Sequence, residues 1–224
     1  MGGLGVVLET LSVIRAWELV QMEEALIVDL RGPSEFASGH PKGALSLPYS
    51  EKGLGDRLSI LIEPGSSIIL LVEAPGHAQS AVSQLQESVF PVIGVLGGSM
   101  VEWSDSELPI EVLAECFVHQ LTRDGPGEDR VVLDVREPVE WETGYVPGAL
   151  LIPLRALRER LHELPQDVGI TVICEAGIRS SSAASMLQSA GFSGVVNVPE
   201  GTAGYRRAGL QLQIFEEDTS DGSI

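Results

Sequence analysis

Thr171-Val172-Ile173-Cys174-Glu175-Ala176-Gly177-Ile178-Arg179-Ser180-Ser181-Ser182 decides how this chain is read. The β-branched run is a buried-strand signal, and the serines open a helical pattern that runs to Ala190. Cys174 therefore falls at the carboxyl end of a strand, the edge of an open α/β sheet at which ligands bind. A loop running into a helix N-terminus aims several backbone N–H groups at one point, and such a nest stabilises a thiolate or a persulfide anion. The positive helix end and Arg179 are both expected to favour the thiolate, the form that accepts sulfur or attacks an ester. Gly177 lets the loop curl tightly. The serines at the helix start are expected to cap it rather than act as hydroxyl nucleophiles.

Outward from this segment the chain repeats itself at an offset of 105 residues. Asp29-Leu30-Arg31-Gly32-Pro33-Ser34-Glu35-Phe36 lies over Asp134-Val135-Arg136-Glu137-Pro138-Val139-Glu140-Trp141, and Gly39, Gly43, Ala44, Leu45 and Pro48 recur as Gly144, Gly148, Ala149, Leu150 and Pro153. Nine of these 20 positions are identical, against about one in fifteen expected from composition. In each copy short apolar runs, Ala25 to Leu30 and Ser67 to Val72, then Arg130 to Val135 and Ile170 to Ile173, read as buried parallel strands. Helical patterns cover Ala16 to Glu24, Ala78 to Ser88, Ala114 to Thr122, Leu154 to Leu164 and Ser180 to Ala190. Strands interleaved with helices predict an α/β fold, each copy a mostly parallel sheet with helices on both faces. The polar stretch Ser104 to Pro109 reads as the linker. It divides a first domain, 1–107, from a second, 108–213, and an acidic, small-residue tail at 214–224 is expected to be disordered.

The charge balance narrows the partners. Fourteen basic residues against 32 acidic ones give a net charge of −18, which argues against nucleic acid and anionic membrane surfaces. No apolar run approaches the ~20 residues of a membrane span, and the first 20 residues lack a basic signal-peptide region, so a cytoplasmic protein is expected. Two cysteines, Cys116 and Cys174, build neither a disulfide framework nor a zinc site, and no metal is expected.

Asp-x-Arg-x-Pro-x-Glu, then Gly-x-x-x-Gly-Ala, then six residues from Cys174 to Arg179 ahead of a helix: in this combination the chain resembles the rhodanese family over about residues 8 to 210. The resemblance implies two tandem rhodanese-like domains and a sulfurtransferase without cofactor. A donor such as thiosulfate or a persulfide loads the loop cysteine, and a thiol or cyanide discharges it. It assigns catalysis to Cys174 and Arg179, and substrate contacts to Glu175, Ala176, Gly177, Ile178, Ser180 and Arg136, the last near the loop mouth where family members bind the donor anion. A protein persulfide is an alternative donor or acceptor.

The first copy departs from the pattern. Aligning Gly76 with Gly177 puts Glu73 at the place of Cys174 and Ala78 at that of Arg179, while a shift of one residue puts Val72 there instead; either way the nucleophile is missing. Pro75 also removes an N–H from the would-be nest. Cys116 sits on the helical pattern from Ala114 and is expected to pack, and His40, whose counterpart is Tyr145, is expected to hold a structural hydrogen bond. The rhodanese fold also hosts cysteine phosphatases and arsenate reductases, but their loops have seven residues from Cys to Arg and this one has six. A non-catalytic sulfur carrier or scaffold is a further reading. Glu175, beside the thiol, is expected to repel dianionic thiosulfate.

Overall fold

A computed structural model describes residues 9–96, 100–123 and 130–215. The first copy runs β1 (Thr10–Leu11), α1 (Val13–Gln21), β2 (Leu26–Asp29), α2 (Pro33–Ser38), β3 (His40–Pro41), β4 (Leu45–Ser46), α3 (Leu54–Leu61), β5 (Ile68–Leu71), α4 (Pro75–Leu85), β6 (Val92–Leu96) and α5 (Met100–Asp105). After β7 (Ile110–Glu111), the second copy runs β8 (Ala114–Glu115), α6 (Val118–Arg123), β9 (Arg130–Asp134), α7 (Pro138–Trp141), β10 (Leu150–Leu151), α8 (Leu154–Arg160), β11 (Gly169–Ile173), α9 (Ile178–Ser189), β12 (Val195–Asn197) and α10 (Gly201–Arg207).

Two five-stranded sheets result, with the strand orders β1-β6-β5-β2-β4 and β8-β12-β11-β9-β10, every neighbouring pair parallel. The orders correspond strand for strand, as the repeat requires. Apolar runs become central strands because both faces of such a sheet are covered. In the second sheet Leu133, Ile170, Val172 and Val195 enter a core that is continuous with that of the first copy, while Val132, Ile173 and Val198 enter a smaller one with Val118, Leu121 and Tyr205. Cys174 follows the parity of Ile170 and Val172 into the larger core.

Most helices match the expected patterns with shifted ends. Helix α1 starts a turn earlier than Ala16 because Ser12 caps it, Oγ accepting from the Arg15 amide at 3.2 Å. The pattern from Ala114 to Thr122 is not one helix. Ala114 and Glu115 pair with Val196 and Asn197 as the edge strand β8, and the helix begins only at Val118. Edge pairing, with the Cys116 amide donating to Asn197 at 2.9 Å, overrides the helical spacing.

The connection expected at Ser104 to Pro109 is tied to the first copy. Trp103 Nε1 donates to the Pro109 carbonyl at 3.1 Å, β7 pairs antiparallel with β3, and the Leu113 amide reaches the Ala37 carbonyl. A bridge between Tyr145 and Gln213 repeats the same strap in the second copy, and Phe215 packs on Tyr145. Beyond Phe215 the expected tail lies outside the described residues.

The copies share an interface built on α9. Its residues 180–187 are all buried, Ser185 Oγ accepts from the Ser46 amide at 3.0 Å, and Arg158 pairs with Glu63. Helix α3 packs on its counterpart α8.

Candidate active site

Cys174 leaves the end of β11 and is 1% exposed. Its Sγ lies 3.3 Å from Ser180 Oγ, in the first turn of α9. Between them the amides of Ala176 to Ser180 meet no backbone acceptor among the described residues, and the next, Ser181, bonds back to Gly177. Here a helix start and a tight loop present unmatched donors beside a sulfur atom. Gly177 is the helix cap, with φ +82, and a Cβ there would collide with the carbonyl oxygen of Pro199. Gly201, φ +59, is its complement: a Cβ there would collide with the Glu175 carbonyl. Two glycines thus let the loop and the start of α10 interlock, with the Thr202 and Ala203 amides donating to the carbonyls of Cys174 and Glu175.

The serines of α9 do not cap it. Ser180 faces the thiol and Ser181 Oγ lies 2.8 Å from Ser46 Oγ, so they serve the site and the interface. No side chain caps the helix, whose orphan amides stay available to an anion.

The charged residues fall differently from expectation. Arg179 lies beside the loop but is gripped by Glu140, Nη1 to Oε2 at 2.5 Å and Nη2 to Oε1 at 2.8 Å. The guanidinium holds the Glu140 carboxyl down to about 2, and the carboxylate raises the arginine pKa in return. Glu175 turns away onto α10: Thr202 Oγ1 donates to its Oε2 at 2.7 Å and Arg206 pairs with its Oε1. Its charge is therefore largely matched, which weakens the expected repulsion of thiosulfate. Ala176, Gly177 and Ile178 form the loop itself, Ile178 half exposed at its rim.

Arg136 is the residue the structure removes from the mouth. It is 1% exposed, bonds both carboxylate oxygens of Asp134 and donates to the Gly144 carbonyl at 2.8 Å. Arg31 does the same with Asp29 and Gly39 in the copy without a cysteine, so the pair serves the fold and leaves no face for a donor anion. The sequence signal that separates the two roles is the repeat itself, since a residue kept in both copies is not specific to the loop.

Strand register also settles the degenerate loop. Asp134 pairs with Ile173 and Asp29 with Leu71, so the residue after each places Val72, not Glu73, at the position of Cys174. Glu73-Ala74 then lies over Glu175-Ala176, and α4 starts one residue sooner than α9. Cys116, half-buried outside this site, has its thiol pKa raised by burial. His40 packs flat on Phe36 and bonds its carbonyl through Nδ1 at 2.8 Å, and burial lowers its pKa. Among the described residues no acidic, His or Cys cluster able to hold a metal occurs, and no helix is long and apolar enough to cross a membrane.

The model of the rhodanese-like domain matches this chain twice, over residues 12–106 and 118–208. A putative sulfur carrier protein of Bacillus subtilis, YrkF, is 36% identical over 105 residues, 47% of this chain and 55% of that protein. A sulfurtransferase of Allochromatium vinosum is 33% identical over 85 residues, 38% of this chain and 79% of that one. The chain thus spans about half the length of the sulfur carrier. A solved rhodanese-related protein of Thermoplasma volcanium is 29% identical and covers 46% of this chain and 99% of its own, with a TM-score of 0.43. Matched over both halves, the chain belongs to the rhodanese-like domain family, in a tandem two-domain arrangement.

Proposed function

We propose that the chain is a sulfurtransferase that carries a sulfane sulfur on Cys174, its catalytic unit being the second of two domains divided near residue 107. The observation that carries this reading is the meeting of the Cys174 thiol, the Ser180 hydroxyl and the unmatched amides of 176–180 at one strand end. A donor R–S–S⁻ or thiosulfate approaches, and the Cys174 thiolate attacks the outer sulfur. That sulfur's bond to its old partner breaks, R–S⁻ or sulfite leaves with the electron pair, and Cys174 holds the persulfide. The anion is stabilised by loop amides and by hydrogen bonding from Ser180. An acceptor thiolate or cyanide then attacks the outer sulfur and the Cys174 thiolate is restored.

A six-residue loop suits one added sulfur rather than a tetrahedral oxyanion, which disfavours phosphatase and arsenate reductase chemistry. The deep burial of Cys174 favours one further reading, a stoichiometric sulfur carrier that shields its persulfide from solvent. Intact mass spectrometry after incubation with thiosulfate or a low-molecular-weight persulfide tests the core of both. We expect one added sulfur in the wild type and in Cys116→Ser, and none in Cys174→Ser. Sulfur retained in Cys174→Ser refutes the assignment, and repeated turnover with cyanide separates enzyme from carrier.

A further inference from the structure

Asn197 ends β12 and is fully buried, yet neither polar atom of its side-chain amide has a hydrogen-bond partner among the described residues. Burying a polar group without a partner is costly, so an amide kept in this state has a reason other than stability. Its place supplies one. Asn197 pairs in register with Val172 on β11, and residues paired across parallel strands point to the same face of the sheet. Val172 enters the larger core, as does Cys174 two residues on, and α9 packs over both strands. The amide therefore lies on the face that carries the thiol, one strand across and two residues back. A strand spacing of about 4.8 Å and a rise of about 3.3 Å per residue put the two positions roughly 8 Å apart.

The copy without a cysteine shows what this position needs for folding alone. Asp29 pairs with Leu71 as Asp134 pairs with Ile173, so Leu70 is the counterpart of Val172. Leu70 pairs with Val95, which makes Val95 the counterpart of Asn197. Val95 is buried in the apolar core. An aliphatic side chain thus fills the place where no thiol stands, and an unsatisfied amide fills it beside Cys174.

The charges nearest the thiol are engaged with each other, Arg179 with Glu140 and Glu175 with Arg206. An amide dipole in a dry core acts on a nearby anion more strongly than one at the surface, because little solvent screens it. With no partner of its own, the Asn197 amide is free to turn its N–H end toward that anion. We propose that Asn197 is a positioning residue of the sulfur-transfer site, its dipole favouring the Cys174 thiolate and the persulfide anion over their neutral forms. This rests on the reading of Cys174 as the sulfur carrier and adds a residue of β12 to the loop amides and Ser180.

Two variants of the full chain test the role. Asn197→Val copies the first domain, and Asn197→Thr restores a polar group on nearly the same shape. Both are made with Cys116→Ser, so that one thiol remains. Ultraviolet absorbance of the thiolate is followed against pH, and loading from thiosulfate is timed by intact mass spectrometry over the same range. Asn197→Val should withstand as much denaturant as its parent or more. Its thiolate titration should move up by about one pH unit, and loading should slow about tenfold below the titration and recover above it. Asn197→Thr should shift less. Should Asn197→Val fold poorly, the threonine variant carries both measurements. Titrations that match the parent in both variants overturn the proposal, and so does a loading defect of equal size at every pH, the mark of a purely structural role. A parent that never loads sulfur, while Asn197→Val still shifts the thiolate titration, would overturn the sulfur-transfer reading and leave the effect of the amide on the thiol standing.

Discussion

Ser181 Oγ, on the helix that follows the Cys174 loop, lies 2.8 Å from Ser46 Oγ, on the edge strand of the other copy. Both side chains are fully buried, so each hydroxyl depends on the other for its hydrogen bond. The helix that positions the loop is thereby registered against the domain that has no nucleophile.

Removing one partner should expose that dependence. Ser181→Ala leaves the Ser46 hydroxyl short of a buried partner, and denaturant unfolding should show a loss of about 1–3 kcal/mol. The second domain alone, from residue 108, should be poorly soluble, because it uncovers the buried serine and alanine face of α9. A soluble, fully active fragment would show that the interface is dispensable.

Gly177→Ala tests the interlock of loop and α10. The left-handed φ and the overlap with the Pro199 carbonyl should cost about 1–3 kcal/mol, measured by unfolding. Persulfide loading should fall further than stability does, since the displaced backbone carries the loop amides. Loading at the wild-type level would mean the amides do not hold the sulfur.

The Glu140–Arg179 pair predicts a pH dependence of defined sign. The Glu140 carboxyl, ordinarily near 4.5, is held at about 2, so its stabilisation is fully present above about pH 4.5 and is lost as pH falls through 2. Glu140→Gln should therefore destabilise the protein at neutral pH, by on the order of 1 kcal/mol since the pair is partly solvated, and match the wild type near pH 2. Unfolding measured across that range reads the difference, and an equal deficit at both ends would remove the ion pair as its cause.

Arg206→Ala asks whether Glu175 matters for anions. With its counter-charge gone, Glu175 presents an unmatched carboxylate beside the loop. At low ionic strength kcat/KM for thiosulfate should drop several-fold, and added salt should restore it. Identical kinetics with and without Arg206 would place Glu175 out of reach of the donor.

The fold was legible because its signals are local and repeated. Apolar runs buried on both faces read as strands, and Asp29 to Pro48 laid over Asp134 to Pro153 doubles every inference. The placement of Cys174 at a strand end ahead of a helix was legible for the same reason, as strand, loop and helix follow without a gap. What did not show was decided by partners distant in sequence. Arg136 looks like an anion ligand until Asp134 and Gly144 are seen to use its donors. Ala114 to Thr122 has helical spacing, but an open sheet edge at β12 recruits its first residues. The direction of Glu175 depends on Thr202 and Arg206, about 30 residues on. Val72 rather than Glu73 lies under Cys174 because strand pairing, not the glycine match, fixes the alignment.

The loop in the first copy is one residue shorter as well as lacking the thiol, and the two differences compound. Val72→Cys alone would put sulfur at a strand end whose turn enters its helix after Ala74, with no counterpart of the left-handed Gly177. Restoring a nest there takes an insertion and a substitution together, neither of which is useful without the other. A single substitution at Val72 should therefore load no sulfur, and what this domain gives the chain lies in its contacts with the neighbouring copy.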